Sequence, residues 1–187
     1  MGDRRDRAVA SPDTLARRSA CRSALRLARK KRDEKGFVAA FDLGGRPVGT
    51  IRLVPYGLGL APSEDLPCLP SEPADLACAW EVGRLVLEES YRCGPEALKR
   101  CLFLTLAHLV RTVPIANLFA TCSPLLARLY RRFGFTVVAP DAVRTEEGAY
   151  WLIHGRVPDV LLGLAGGAEE ERVARQLLIP WRAGAVH

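Results

Sequence analysis

Two apolar stretches of strand-like composition each contain an arginine. They are GTIRLVP at residues 49–55 and AWEVGRLVL at residues 79–87. A guanidinium inside a buried strand needs paired acceptors or a bound ligand, because an unpaired buried charge is very costly. Both arginines, Arg52 and Arg84, are therefore expected to be buried, with one carboxylate, Glu81, between them in the sequence. The two stretches predict a polar site inside a β-sheet.

The composition is that of a single globular domain. The chain has 187 residues, of which 49% are hydrophobic and 26% charged, enough for one well-buried core. No run approaches the roughly 20 apolar residues that span a bilayer, and the arginine-rich N-terminus lacks the apolar stretch of a secretory signal. By elimination, we expect a cytoplasmic location without a membrane span. The six cysteines are scattered, without a CxxC pair or a histidine cluster, so we expect reduced thiols and no metal site.

Positive charge is concentrated at the N-terminus. Residues 1–35 contain twelve Lys or Arg and five Asp or Glu, a net charge of +7 that exceeds the +6 of the whole chain. Ser11 and Pro12 are typical of a helix start, and the pattern predicts a basic helical arm at 1–35 before a globular domain at 36–187. The charges fit a solvated helix face, a surface for an acidic protein or a nucleic-acid site. Nucleic acid is the least favoured, because no aromatic residue interleaves the charges before Phe37.

Strands and helices alternate along the remainder of the chain. Apolar runs at 37–41 and 47–54, joined by Gly44-Gly45, predict an antiparallel hairpin. A proline-rich loop at 57–77 follows, which is either a lid or a tolerated insertion. The later pattern predicts a strand at 79–88, a helix from Gly94-Pro95, a strand at 115–121, a helix from Ser123-Pro124 to Gly134, strands at 135–139 and 150–154, and a helix near 170–178. This order predicts a mixed α/β sheet covered by helices.

One of these helices carries a family motif. The segment from Leu129 to Phe135, LYRRFGF, resembles the LYxxxGF motif of the GCN5-related N-acetyltransferase superfamily. The stretches GTIRLVP and WEVGRL are similar to the RLLP and WELSRF segments of acyl-homoserine lactone synthases, and Tyr91-Arg92 resembles a step in long-chain N-acyl amino acid synthases. The resemblance covers about residues 37–140. It implies acyl transfer from a thioester, on a mixed, mostly antiparallel sheet with helices on both faces and splayed central strands.

The chain departs from the superfamily pattern in two places. A basic arm replaces the aromatic and acidic N-terminal segment of the lactone synthases. The phosphate-binding loop, usually [QR]xxGx[GA], reads RCGPEA here, so its first glycine comes one position early. Arg92, Gly94 and Ala97 remain the candidates for holding a phosphate, because a helix N-terminus presents unpaired amides to an anion. A 4′-phosphopantetheine arm supplies one such phosphate.

The strand that contains Glu81 is expected to hold substrate, through Val82, Gly83 and Leu85. Glu81 and Arg84 would face opposite sides of a regular strand, and a bulge at Gly83 would re-aim them and release a backbone amide. Glu81 is either the base that takes the amine proton through water or the partner in a structural ion pair.

The two arginines and a tyrosine complete the expected site. Arg52 and Arg84 either bind an acceptor carboxylate bidentately, which suits guanidinium better than ammonium, or support the strands. The resemblance implies that Tyr130 is the acid that protonates the departing thiolate, whereas an isolated tyrosine would serve packing. The histidines His108 and His154 are expected to be structural.

Four functions fit these features. The leading hypothesis is an N-acyltransferase that moves a medium or long acyl chain from an acidic acyl carrier protein to the amine of an amino acid or related small molecule. Such an enzyme needs an acylated carrier protein or acyl-coenzyme A as co-substrate and no bound cofactor. The alternatives are a coenzyme A dependent acetyltransferase of a small molecule or protein amine, an inert module that binds a carrier or nucleic acid, and a Cys93 acyl-enzyme. In the leading hypothesis the acyl tail is expected to contact Leu85, Leu98, Leu102 and Phe119, beside the loop at 57–77.

Overall fold

The computed structural model describes residues 34–70, 72–92 and 94–182. The basic arm predicted at 1–35 lies outside the described residues except for its last two positions. Cys93, the candidate for an acyl-enzyme, also lies outside them.

Six strands form one sheet in the order β1-β2-β3-β4-β6-β5. All neighbouring strands are antiparallel except β3 and β4, which are parallel. The strands are β1 (Phe37–Leu43), β2 (Arg46–Pro55), β3 (Ala79–Leu87), β4 (Asn117–Cys122), β5 (Thr136–Thr145) and β6 (Gly148–Arg156). The prediction of a mixed, mostly antiparallel sheet is confirmed.

In the described part of the chain, three helices connect strands, and three more follow the last strand. They are α1 (Pro73–Leu76), α2 (Pro95–Thr112), α3 (Pro124–Arg131), α4 (Val157–Leu164), α5 (Ala168–Leu177) and α6 (Ile179–Arg182), with 3-10 turns at Pro62–Asp65 and Glu89–Tyr91. Gly94 and Ser123 are the N-caps of α2 and α3, each followed by proline at the first helical position, as the sequence predicts. The helix α4 is absent from the predicted elements.

Two apolar clusters cover opposite faces of the sheet. The longer helices pack on one face, where Leu106 and Leu109 of α2 and Leu161 of α4 join Ile51 and Leu118 of the strands. The other face is covered by the segment between β2 and β3, which we call the β2–β3 segment (residues 56–78). Its apolar side chains pack on a small buried cluster made of Ala79, Phe119 and Leu152.

The central strands β3 and β4 separate after a short parallel pairing. Their ladder is confined to Ala79–Glu81 against Asn117–Phe119. On its other side, β3 pairs with β2 through a bulge: Arg52 faces Gly83, whereas Thr50 faces Val86, so β3 has one extra residue there. Arg84, within this bulge, has a φ of 52°, which few residues other than glycine adopt. The predicted splay of the central strands is confirmed, and the bulge begins at Gly83 as expected.

Candidate active site

A cleft of about 370 Å³ opens where β3 and β4 separate. Its floor and walls come from β3, α2, β4, α3 and β6, with Phe135 just before β5. Five residues of the predicted site line it, namely Val82, Gly83, Arg84, Leu85 and Tyr130, together with Leu102, Ala120, Thr121, Cys122, Ser123, Leu126, Phe135, Tyr150 and Ile153. The mainly apolar lining, with backbone of β3 along one wall, suits an acyl thioester.

Glu81 lies on the opposite face of the sheet, beneath the β2–β3 segment. Its side chain is 8% exposed. The Ser63 N–H donates to Glu81 Oε2 across 2.7 Å, and the Ser63 hydroxyl donates to the same oxygen. Arg52, also buried, shares this face of the sheet, because it pairs with Gly83, two positions along β3 from Glu81. The structure thus brings Arg52 and Glu81 to one buried polar region.

Gly83 connects this region with the cleft. A Cβ placed on Gly83 would lie 4.0 Å from Glu81 Oε1, and the same glycine lines the cleft. The carboxylate therefore lies alongside the backbone against which a bound thioester would rest. Gly83 itself contributes no side chain between the cleft and the carboxylate.

The two arginines of the sequence prediction occupy different environments. Arg52 is 9% exposed, whereas Arg84 is exposed and lines the cleft. The expectation that both are buried is therefore wrong for Arg84, because the bulge interrupts the alternation that would have turned it inward. Among the described residues, the cleft lining includes Arg84 and does not include Arg52.

Tyr130 lies on α3 between the rings of Phe133 and Phe135, with ring centroids 6.1 and 5.7 Å away. Burial, with a smaller effect of the nearby Cys122 thiol, raises the pKa of Tyr130 to about 12. Burial likewise raises the pKa of Cys122 to about 11. Both groups are therefore protonated at neutral pH, and the phenol of Tyr130 can act as a proton donor in the cleft.

The predicted phosphate-binding residues surround the start of α2. The Arg92 Nε donates to the Leu87 carbonyl across 2.8 Å, and Gly94 caps the helix with a φ of 156°. Ala97 lines a separate groove of about 580 Å³ between β1 and α2. None of the three lines the cleft in the part of the chain that the structure describes, so a phosphate held there would lie outside it.

The expected tail contacts divide between the two faces. Leu85 and Leu102 line the cleft as predicted. Phe119 points to the opposite face, where its ring stacks between Tyr56 and His154 with centroid distances of 5.1 and 4.7 Å. Leu98 packs on the helix-side core and is absent from the cleft lining among the described residues. Phe119, Leu98 and the loop at 57–77 therefore lie outside the lining of the cleft, contrary to the expected common tunnel.

His154 has a structural environment. Asn117 donates its side-chain N–H groups to the carbonyls of Ala74 and Ala77, so its Oδ1 accepts from His154 Nε2 across 2.9 Å. Burial lowers the pKa of His154, which keeps the ring neutral. This arrangement ties β4 and β6 to the β2–β3 segment.

Sequence reasoning missed two polar residues beside Glu81, Ser63 and Tyr56. The Tyr56 hydroxyl is hydrogen-bonded to Ser63 Oγ, so both belong to the hydrogen-bond chain that ends on the carboxylate. Neither has a motif or spacing that marks it. The proline-rich composition identified residues 57–77, which include Ser63 but not Tyr56, as a loop, but not which of its residues turns inward.

No protein-family model matches the sequence, and neither does any curated protein. Solved structures share its architecture. FeeM, an N-acyl amino acid synthase from uncultured soil microbes, superposes with a TM-score of 0.55 at 17% identity, over 79% of this chain and 93% of FeeM. This chain has the GCN5-related N-acetyltransferase fold.

Two further solved structures, BjaI and TofI, are similar to this N-acetyltransferase-fold protein at comparable TM-scores. BjaI, a CoA-dependent acyl-homoserine lactone synthase solved with MTA, gives a TM-score of 0.53 at 18% identity, over 79% of this chain and 67% of BjaI. TofI, in a ternary complex with an inhibitor and MTA, gives 0.50 at 20% identity over 66% of this chain. The match takes in 65% of the length of TofI.

Within residues 34–70, 72–92 and 94–182, no helix is long and apolar enough to cross a membrane. No group of three or more His, Cys, Asp or Glu side chains is placed to hold a metal ion in the same ranges.

Proposed function

We propose that the protein is an N-acyltransferase that moves an acyl group from a thioester to the amine of an amino acid or a related small molecule. The observation that carries the proposal is the cleft between β3 and β4. It contains a phenol, Tyr130, on one side and the bulged backbone at Gly83 on the other, with the Glu81 carboxylate alongside that backbone.

The proposed reaction assigns one proton to each of these groups. The thioester lies in the cleft, and its carbonyl accepts hydrogen bonds from β3 amides released by the bulge. The amine attacks the carbonyl carbon, a C–N bond forms, and the amine proton passes to Glu81 through water. The C–S bond then breaks, and the departing thiolate takes the proton of Tyr130. The phenol recovers a proton from solvent, and the carboxyl returns its own.

Arg84 is the proposed anchor for an acceptor carboxylate. It is exposed and lines the cleft, where a guanidinium can bind a carboxylate through two parallel hydrogen bonds. The similarity to FeeM, described as an N-acyl amino acid synthase, supports an amino acid as acceptor. Arg52, buried on the face of Glu81, is proposed to support the carboxylate.

An acyl carrier protein is the proposed donor, with a medium or long acyl chain. The basic charge of residues 1–35 suits an acidic carrier. On α3, next to the cleft, Leu125 is 75% exposed and Arg128 and Arg131 are exposed beside it. This apolar and basic helix surface adds to the proposed docking area.

A short-acyl, coenzyme A dependent transfer is the second candidate. BjaI is described as CoA-dependent, and Arg92, Gly94 and Ala97 surround the start of α2. The proposed phosphate contact at this helix would serve either donor, because the carrier-bound 4′-phosphopantetheine arm and coenzyme A share the phosphate nearest the thiol.

A mass-spectrometric screen tests the function. Purified protein is incubated with carrier-bound and coenzyme A bound acyl donors, from acetyl to dodecanoyl, and with pooled amino acids. We expect an amide product that carries the donor's acyl mass and disappears with the Glu81→Gln variant. Absence of an amide with every donor and amine would refute the proposal.

The donor has its own test. Deleting residues 1–12 and replacing Arg17, Arg18, Arg22 and Arg26 by glutamine should raise KM for a carrier thioester and leave a free pantetheine thioester unaffected. Added salt should weaken wild-type use of the carrier, because exposed charges are screened over about 8 Å at physiological ionic strength. An equal loss with both donors would contradict carrier docking by the arm.

A further inference from the structure

Ser63 is wholly buried although it lies in the long β2–β3 segment. It belongs to the 3-10 turn Pro62–Asp65. Both its backbone N–H and its hydroxyl donate to Glu81 Oε2. A carboxylate can only accept, so the single proton of the Ser63 hydroxyl is committed to Glu81. Toward its other neighbour, Ser63 Oγ can therefore only accept a hydrogen bond.

That neighbour is Tyr56, whose hydroxyl contacts Ser63 Oγ. Since Ser63 has no second proton to give, Tyr56 donates, and the order of donors is fixed as Tyr56 to Ser63 to Glu81. Burial raises the pKa of the Tyr56 phenol, which keeps it protonated. The ring is held by stacking on Phe119, and the Tyr56 N–H donates to the Ala79 carbonyl across 2.9 Å.

The turn that presents Ser63 has a separate anchor. Glu64 accepts from the Gly57 N–H across 2.7 Å with one oxygen and from the Ala61 N–H across 3.2 Å with the other. The Leu66 N–H donates to the Ser63 carbonyl across 3.2 Å. These bonds fix the turn without Glu81, so Ser63 is a preformed double donor for the carboxylate.

We propose that Ser63 and Tyr56 are positioning residues that hold the Glu81 carboxylate ionised and turned so that Oε1 lies alongside Gly83. This inference rests on the proposed function for its catalytic meaning. The physical part, a carboxylate stabilised by two donors on one oxygen, does not depend on the reaction. Neither Ser63 nor Tyr56 touches the reacting atoms, and both act through Glu81.

Other charged groups also face Glu81. Arg52 of β2 lies on the same face of the sheet as Glu81, and Glu64 belongs to the turn that carries Ser63. His154 of β6 stacks on Phe119, and burial lowers its pKa. None of these groups changes when the Ser63 or Tyr56 hydroxyl is removed. Loss of a donor to the ionised form should therefore raise the pKa of Glu81.

The test uses Tyr56→Phe and Ser63→Ala, with Thr136→Val as a control. Tyr56→Phe keeps the ring that stacks on Phe119 and removes only the hydroxyl. Thr136→Val removes a hydroxyl that donates to the His154 carbonyl, away from Glu81. The full chain, labelled with ¹³C at glutamate side chains, is titrated by NMR, and Glu81→Gln identifies the Glu81 signal.

We expect the Glu81 titration midpoint to move upward by about one pH unit in Ser63→Ala and by a smaller amount in Tyr56→Phe, with no change in Thr136→Val. The acid limb of kcat/KM should move in the same direction, because the base form is then lost at higher pH. A midpoint that is unchanged in Tyr56→Phe and in Ser63→Ala would overturn the proposal, and so would an equal shift in Thr136→Val. The NMR titration decides the question even if no acyl transfer is found, so the two failures are distinguishable.

Discussion

Replacing Leu102 by tryptophan should shorten the acyl chain that the protein prefers. Leu102 is 7% exposed and lines the cleft of about 370 Å³, so the indole enters the space where the tail is proposed to lie. Each methylene that the cleft buries should contribute roughly 0.8 kcal/mol. Two methylenes then amount to about 1.6 kcal/mol, or about 15-fold in kcat/KM. We expect at least this loss for the longest good donor, with acetyl transfer nearly unchanged.

The assay is kcat/KM for a series of thioesters from acetyl to dodecanoyl on one thiol, with one amine acceptor. Leu104→Trp is the matched control, because Leu104 lies on the same helix, is 48% exposed and lines the groove between β1 and α2. It should keep the wild-type profile. Thermal melts check that the cost of overpacking, typically about 1–3 kcal/mol, has not unfolded the variant. A folded Leu102→Trp protein with the wild-type chain-length profile would refute the placement of the tail.

Four further substitutions test other parts of the account. Glu81→Gln should fold normally and lower kcat/KM by about 10²–10⁴-fold, the usual contribution of a general base; wild-type activity across pH would make Glu81 structural. Tyr130→Phe should slow pantetheine thioesters more than thiophenyl thioesters, because a thiophenolate leaves without needing a proton. Equal slowing of both kinds of thioester would contradict the acid role. Since the pKa of Tyr130 is about 12, this phenol should cause no alkaline loss of wild-type activity below about pH 10. Gly134→Ala and Gly57→Ala share a left-handed φ, +88° and +84°, but only at Gly134 would the new Cβ meet a backbone oxygen, that of Asp159 at 2.6 Å. In urea unfolding, Gly57→Ala should cost about 1–2 kcal/mol and Gly134→Ala about 1–3 kcal/mol more, and equal losses would argue against the clash.

The strand that carries the site follows from local sequence. A glycine and an arginine inside an apolar run predict a bulge, and the extra residue of β3 lies between Gly83 and Val86. The starts of α2 and α3 follow from Gly94-Pro95 and Ser123-Pro124 for a similarly local reason, since caps depend on a few adjacent residues. The splay of the central strands came from the family resemblance and is confirmed.

Other features depend on contacts that no local pattern encodes. The strand β4 is almost entirely buried, on both faces, so its sequence has no polar alternation to show on which face Phe119 lies. Ser63 meets Glu81 across 18 positions of sequence, through a turn whose inward residue only the folded segment determines. Helix α4 has eight residues and follows β6 directly. A helical period of apolar residues cannot be recognised over so short a stretch, so the sequence does not distinguish this helix from a continuation of the apolar strand.

Coupled product analysis tests the central claim most directly. Purified protein is given an acyl-carrier thioester and an amino acid, and the free thiol and the N-acyl amide are quantified in the same samples. N-acyl transfer predicts one amide for each thiol released, and loss of thiol release when the amine is omitted. Thiol release without amide would identify a thioesterase, and intact thioester with every donor and amine would identify a binding protein; either result would contradict the account.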